Sequence, residues 1–390
     1  MNKKVNIKVT TTDVKNYNRN RIFREIYNSG QISRQAIADN LGLSLPTVNQ
    51  NLKLLAEMNL ISLDGSFNST GGRKAQAIEV NNTAKVVVSI NIEPARYYIS
   101  VVGLKGDTLK EISVNKPFKP DKKYAEAVYK SFRDLIKRLD GENKKSKERI
   151  SEENILGTGI TIPGIFDKEK NVITFAPTLN VHNYDMSLIT DYFKENCIVM
   201  NDASAHAYAD YFFAGGKDAS RRIYLMLGDG VGGAIITREG IMTGLHNRSG
   251  EFGHMTIHPD GKICTCGKRG CLEAYVSERK LSSDFSVTLE EFFEVLDNGK
   301  SKEYKDAFET YLDDLAIAVN NLYCVFDAEI VIGGTVAKYL KKYEQEIKRR
   351  LSERYAFDTD GEYISFACCN DSQAKAGAAL LHLQNFIESV

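Results

Sequence analysis

The stretch from Glu251 to Glu273 constrains this chain more than any other. It reads Glu-Phe-Gly-His-Met-Thr-Ile-His-Pro-Asp-Gly-Lys-Ile-Cys-Thr-Cys-Gly-Lys-Arg-Gly-Cys-Leu-Glu and holds three of the seven cysteines and two of the six histidines. Gly267 and Gly270 punctuate Cys264, Cys266 and Cys271, so a short loop can double back and bring three thiolates to one point, with His254 as the fourth corner. Three sulfurs and one imidazole make a closed tetrahedral site for one structural zinc per chain. The alternative is a set of ordinary free cysteines. Buried structural thiols are not normally interleaved with glycines in a polar, lysine-bearing segment, which favours the metal.

At 390 residues the chain is long enough for two or three domains, and its 43% apolar content is ample for their cores. It has no run of about 18 apolar residues, and its first residues are polar and lysine-bearing, so neither a membrane span nor a secretory signal is expected. That points to the cytoplasm, and clustered cysteines without a regular framework fit a reducing compartment. The formal net charge of zero hides an asymmetry: residues 1–80 carry eleven Lys and Arg against six Asp and Glu, a balance of +5 that the remainder cancels. A small basic module on a mildly acidic body suggests that one part binds nucleic acid, although a solvated basic face would look the same.

Residues 1–12 read as a flexible arm. From Asp13 the spacing predicts a helix with Ile22, Ile26 and Tyr27 on one face, and Arg19, Arg21 and Arg24 are available for the other. Gly30 closes it. Ser33 can cap a second helix over 34–41, Gly42 makes a tight turn, and Ser44 can cap a third helix to about Asn59 with Pro46 in its first turn. Ile37, Leu41, Leu43, Val48, Leu52 and Leu55 face inward. Thr47, Asn49, Gln50 and Lys53 face outward on the third helix, which suits base edges and phosphates in a major groove; Arg34 is a further DNA candidate. Two short strands follow, at 60–63 and 75–80, joined by a loop carrying Gly71-Gly72-Arg73-Lys74, whose Arg73 and Lys74 could reach a minor groove or backbone. In outline this is a winged helix-turn-helix, residues 1–80, for operator DNA. The competing reading is a three-helix interaction module without DNA.

After a short polar joint at 81–84, strands are expected at 85–92, 97–104 and 108–114, with Lys105-Gly106-Asp107 as a hairpin turn. A helix over 124–139 and a charged loop over 143–153 lead to a buried strand at 155–162 ending in Pro163-Gly164. A strand at 198–201 with a helix from Ala203 to Phe213 follows, then a strand at 223–227 and a glycine-rich turn over 228–233. A helix around 311–326, a strand at 330–332 and a last helix from Ala374 to about Ile387 complete the chain. Three strands followed by alternating helices and strands, twice over, outline an α/β protein with a two-lobed actin-like, ribonuclease-H-like, ATPase-type fold. The expected division is 81–200 plus 374–390 for the first lobe and 201–373 for the second, with the zinc loop and a dimerisation surface. Ligands in such folds lie in a cleft outside the carboxyl ends of strands.

The spacing H-x9-C-x-C-G-x-x-G-C-x-E, preceded by Glu251, resembles the signature of the ROK family of bacterial sugar kinases and sugar-responsive repressors. The resemblance implies the same two-lobed fold over 81–390. It also implies that His254 coordinates zinc and that Glu251 and Glu273 beside it hydrogen-bond a sugar. Gly164, Asn201 and Asp202 join this ligand set, Asp202 resembling the general base of the kinases. The loop over 176–182 lacks the Asn-Leu-x-Trp arrangement common in glucose-handling members, and Asn180 is its nearest candidate replacement. The kinases' first strand turn reads Asp-Ile-Gly-Gly-Thr and holds magnesium and ATP phosphates. Here the aligned residues are Asn91-Ile92-Glu93-Pro94-Ala95, and Asp229 stands where the kinases have a threonine. Asn91 replaces the magnesium-side carboxylate and both glycines of the first turn are gone, while Glu93 and Asp229 each add negative charge where phosphates would approach. The expectation is a non-catalytic, sugar-responsive repressor, a homodimer or dimer of dimers. The alternative is a ROK-type sugar kinase with an accessory DNA-binding domain.

Overall fold

The computed structural model describes residues 11–66, 76–142, 149–193, 196–215, 221–354 and 360–390. It divides into two compact units, one of residues up to Ile160 with Met186–Ile198 and Ala378–Val390, the other of Thr161–Asp185 with Val199–Gly377. Among the described residues no helix is long and apolar enough to cross a membrane.

The first unit begins with helices Thr11–Ser29, Arg34–Leu41 and Leu45–Glu57. The first starts two residues before Asp13 and ends where Gly30 takes φ +71°. Ser33 Oγ accepts the amide of Ala36, and Ser44 Oγ accepts that of Thr47 at 3.3 Å, each filling an orphan donor of a helix start. Ile22, Phe23, Ile26, Ile37, Val48, Leu52 and Leu55 are all within 2% of full burial, so the three helices share one core. Phe23 belongs to it although the spacing had not singled it out. Arg21 is not free for an outer face: it donates to the Leu41 carbonyl at 3.0 Å and lies over the Tyr17 ring. Strands Ile61–Ser66 and Gln76–Val80 pair antiparallel as expected, and Gln31–Ile32 adds an unforeseen third strand beside the second. Arg73 and Lys74 lie outside the described residues.

The polar joint is firmly held. Asn82 Oδ1 accepts the Lys105 amide at 2.7 Å, the Asn82 carbonyl accepts that of Leu104, and Asn81 N–H donates to the Leu60 carbonyl. Gly103 is required there, because a Cβ would stand 2.5 Å from Asn82 Oδ1. Lys105 also pairs with Glu79 at 3.5 Å, and Asn20 donates to the Ile387 carbonyl at 2.8 Å. The helical head and the sheet that follows are one body.

That sheet contains Val86–Ile92, Tyr97–Gly103, Thr108–Val114, Ile155–Thr161 and Cys197–Met200, ordered third-second-first-fourth-fifth. All seven residues of Val86–Ile92 are buried, as befits a central strand, and helix Lys122–Glu142 follows the third strand. In the second unit Arg221–Leu227, Val231–Thr237, Gly240–Met242, Glu329–Gly333 and Ile364–Phe366 form a second five-stranded sheet in the same order. The first pairs parallel with the fourth and the fourth with the fifth. Two mixed sheets of identical strand order confirm the duplicated α/β architecture.

Several local expectations change. The strand after Gly228-Asp229-Gly230 begins at Val231, so Gly232 and Gly233 are strand rather than turn; a Cβ on Gly233 would stand 2.3 Å from the Phe252 ring. The long helix runs Lys302–Phe326, and the C-terminal helix is two pieces, Asp371–Lys375 and Gly377–Ser389. An extra antiparallel sheet of Ile165–Asp167, Val172–Ala176 and Val181–Asp185 was not anticipated, because such short strands carry too little alternation to read.

Candidate metal centre and ligand site

The loop from His254 to Cys271 is shaped by its backbone before any metal is considered. Ile263 bridges Arg269, Thr256 bridges Cys271, and the Gly267 amide donates to the Cys264 carbonyl at 2.9 Å, closing a tight turn over Cys264-Thr265-Cys266. Gly267 takes φ +82° and Gly270 φ +78°, and a Cβ on Gly270 would stand 1.9 Å from the His258 carbonyl oxygen. These glycines are steric requirements of the turn.

The folded loop brings His254, Cys264, Cys266 and Cys271 together, with one donor atom from each lying within 4.8 Å of the others. Cys266 and Cys271 Sγ are 3.8 Å apart, as are Cys264 Sγ and His254 Nδ1. All three thiols are free. Sulfurs about 2.3 Å from a tetrahedral zinc stand about 3.8 Å from one another, so the spacing fits that ion. Burial first, then the neighbouring thiols, pushes Cys271 up to about 12, and burial likewise raises Cys264. Cys266 is lowered against its own desolvation by hydrogen bonds from the Lys268 backbone and the other two cysteines. Packed thiols that resist joint ionisation are what a divalent cation would relieve, and the cluster could hold a metal such as zinc.

His254 turns Nε2 the other way, 4.0 Å from Glu251 Oε2. Burial raises the Glu251 carboxyl; His254 lowers it, while Asp202 and Glu273 raise it further. Asp202 and Glu273 are thus each near enough to act on the Glu251 carboxyl. Glu273 is buried, accepting the Val231 amide at 3.2 Å on Oε2, and Thr265 Oγ1 at 2.5 Å and Arg279 at 3.4 Å on Oε1. Thr265 and Arg279 were not anticipated; Thr265, lying between two cysteines, could have been noticed. Arg279 also faces the exposed Asp229 at 3.7 Å, so the Asp229 charge is partly answered.

Asn201 caps helix Asp202–Phe213, its Oδ1 accepting the Ser204 amide at 2.8 Å. Asp202 is the first residue of that helix, and its Oδ1 accepts the Ala203 amide at 2.9 Å. Gly164 and Asn180 belong to the extra sheet region. Gly164 has φ +112° and would clash with Ala176 if it carried a Cβ, and Asn180, at φ 53°, ends the turn Pro177–Leu179. In the first unit, Asn91 is buried and donates to Glu93 at 3.2 Å, while the Glu93 amide donates to the Arg96 carbonyl, closing the turn on itself.

On the third helix of the head, Asn49, Gln50 and Lys53 are exposed. Thr47 is half-buried, its hydroxyl 2.9 Å from Ser44 Oγ, and Lys53 stands 3.9 Å from Glu57. Arg34 is exposed at the start of the second helix.

The profile described as "Winged helix-turn-helix DNA-binding" matches residues 15–62, and that described as "ROK family" matches residues 87–385. The chain is 31% identical over 271 residues to the xylose repressor of Bacillus spizizenii, covering 69% of this chain and 68% of that protein. It is 26% identical over 371 residues to a putative xylose repressor of a Caldicellulosiruptor strain, covering 90% and 91%. A solved ROK family transcriptional regulator, described as a homologue of the E. coli MLC protein, superposes with a TM-score of 0.72 at 19% identity, covering 96% of this chain and 97% of that one. The ROK match spans most of the chain and the DNA-binding match precedes it, and so the chain belongs to the ROK family, as one of its transcriptional regulators.

Proposed function

We propose that this chain is a sugar-responsive repressor. Residues 1–80 hold operator DNA, with Thr47, Asn49, Gln50 and Lys53 of the third helix in the major groove and Arg34, Arg73 and Lys74 on backbone or minor groove. The remainder senses a sugar or sugar derivative. Asp202, Glu251 and Glu273 accept hydroxyls, His254 offers Nε2 to another, and Asn201, Gly164 and Asn180 complete the contacts. One structural zinc on His254, Cys264, Cys266 and Cys271 fixes the loop that carries these groups. Two copies on a pseudo-palindrome, as a homodimer or dimer of dimers, match one reading helix per chain. Such a protein works in the cytoplasm, where the DNA is.

The observation that carries the reading is the carboxylate group of Glu251, Asp202 and Glu273 beside a four-donor metal loop, in a chain that also presents an exposed polar helix face. A Glu251 carboxyl that is buried and faces the charges of Asp202 and Glu273 is stabilised by a ligand rich in hydroxyl donors.

Catalysis is not expected. Asn91, Glu93 and Pro94 occupy the first strand turn, and an Asn-Glu hydrogen bond replaces an open phosphate cradle. Calorimetry against a sugar panel, followed by a coupled ADP-release assay with ATP and magnesium, tests both halves. Asp202→Asn should weaken sugar binding by about 1–3 kcal/mol, the cost of an unpaired buried partner. Turnover of about one per second or more that vanished in Asp202→Asn would replace this reading with the kinase alternative.

A further inference from the structure

A groove of about 550 Å³ runs between two loops of the second unit, 165–174 and 243–248. We infer that it is a second sugar subsite, so that the effector is a disaccharide or glycoside rather than a bare monosaccharide. This rests on the sugar-sensing reading above and extends it.

Both walls continue from residues of the proposed ligand site. Ile165 follows Gly164 directly, and on the other side the Glu251 amide donates to the Arg248 carbonyl at 3.4 Å. A ligand seated on Glu251 therefore has the groove next to it, and one ring would leave that space unfilled.

Both walls are also pre-shaped. Asp167 Oδ1 accepts the amides of Glu169 and Lys170 at 3.1 and 3.2 Å, its carboxylate pairs with Lys170 at 3.1 Å, and Thr174 donates to the Ile165 carbonyl at 3.1 Å. Opposite, Gly244, Asn247 and Gly250 all take positive φ, and Ser249 N–H donates to the Thr243 carbonyl at 3.1 Å. A Cβ on Gly250 would stand 2.4 Å from the Gly233 carbonyl oxygen, which anchors that loop to its sheet. Walls ordered before binding spare the ligand the cost of ordering them.

The lining chemistry selects the class. Lys168 and Arg248 donate, Glu169 accepts, and Thr174, Thr243 and Asn247 do both. An anionic substituent would have to sit beside Asp167 and Glu169 as well as the cations, whereas hydroxyls, which donate and accept, can use both kinds. Leu245, 90% exposed, offers an apolar surface for the C–H face of a ring. The volume lies within the range of about 300–1,000 Å³ typical of small-molecule sites.

Calorimetry on the full-length, metal-replete protein with D-xylose and xylobiose, D-glucose and cellobiose, and N-acetylglucosamine and chitobiose tests this. In at least one pair the disaccharide should bind about tenfold or more tighter, the equivalent of about 1.4 kcal/mol. The exposed-surface double variant Lys168→Ala/Leu245→Ser should erase that increment and leave the monosaccharide Kd unchanged. Monosaccharides that bind as tightly as their disaccharides, or an increment that survives the double variant, would overturn the subsite while leaving sugar sensing intact. If none of the six sugars binds, sugar sensing fails and the subsite fails with it.

Discussion

The reading head and the metal loop each hold a short segment in one shape, by opposite means. The head has an apolar core of its own, with Val48, Leu52 and Leu55 of the third helix fully or almost fully buried. In the loop from His254 to Cys271, only Cys264, Gly270 and Cys271 are buried, and Ile263 is 65% exposed. A segment without a core needs steric glycines and a cross-link, which a metal on the four-donor cluster would supply. The head is then tied through Asn82 to the sheet behind it, whereas the loop places its functional groups through the cluster itself.

The largest effect expected from breaking this contrast is on the loop. Cys266→Ala, or chelation, should remove about one zinc per chain and a folding contribution that reaches about 10–16 kcal/mol in isolated zinc-finger peptides. Elemental analysis with thermal melting checks it, and the contrast requires that operator binding at low temperature survive. Burial raises the Cys264 and Cys271 thiols, so zinc uptake should release protons and weaken as pH falls; calorimetry in buffers of different ionisation enthalpy reads this.

Next, Leu52→Ala should cost about 2–5 kcal/mol in the head, the range for a buried leucine. Operator affinity should fall on warming with metal content unchanged, and loss of metal would show that the two regions fold together. Asn82→Ala leaves the Lys105 amide without its acceptor, at about 1–3 kcal/mol. It should reduce the effect of sugar on operator affinity more than the affinity itself, measured by titration with and without ligand. The smallest effects are on the reading face: Gln50→Ala should relax base preference by about 1–3 kcal/mol at one position, and Lys53→Ala should lower the salt slope by about one. A uniform loss across sequences for Gln50→Ala would mean that this helix does not read bases.

Legibility followed locality. The caps Ser33 and Ser44, the turn at Gly42 and the inward Ile37, Val48 and Leu52 could be read because each depends on neighbours within one or two helical turns. The metal cluster was legible for the same reason: its three cysteines and their glycines lie within eight residues of sequence, Cys264 to Cys271. The roles of Thr265 and Arg279 were not legible, since both depend on where the Glu273 carboxylate comes to rest. Nor was the sheet over 165–185, whose strands are held by one another more than by their own pattern.

By itself the sequence determined the order of the main helices and strands, the four clustered His and Cys donors and a head with its own core, because short-range spacing sets hydrophobic faces, caps and turns. Only tertiary structure decided that Asn82 ties the head to the sheet, and that Nδ1 of His254 faces the thiols while Nε2 faces Glu251. It also decided that Asp202 and Glu273, distant from Glu251 in sequence, act on its carboxyl. Those outcomes depend on distances between atoms many residues apart, which spacing along a chain does not encode.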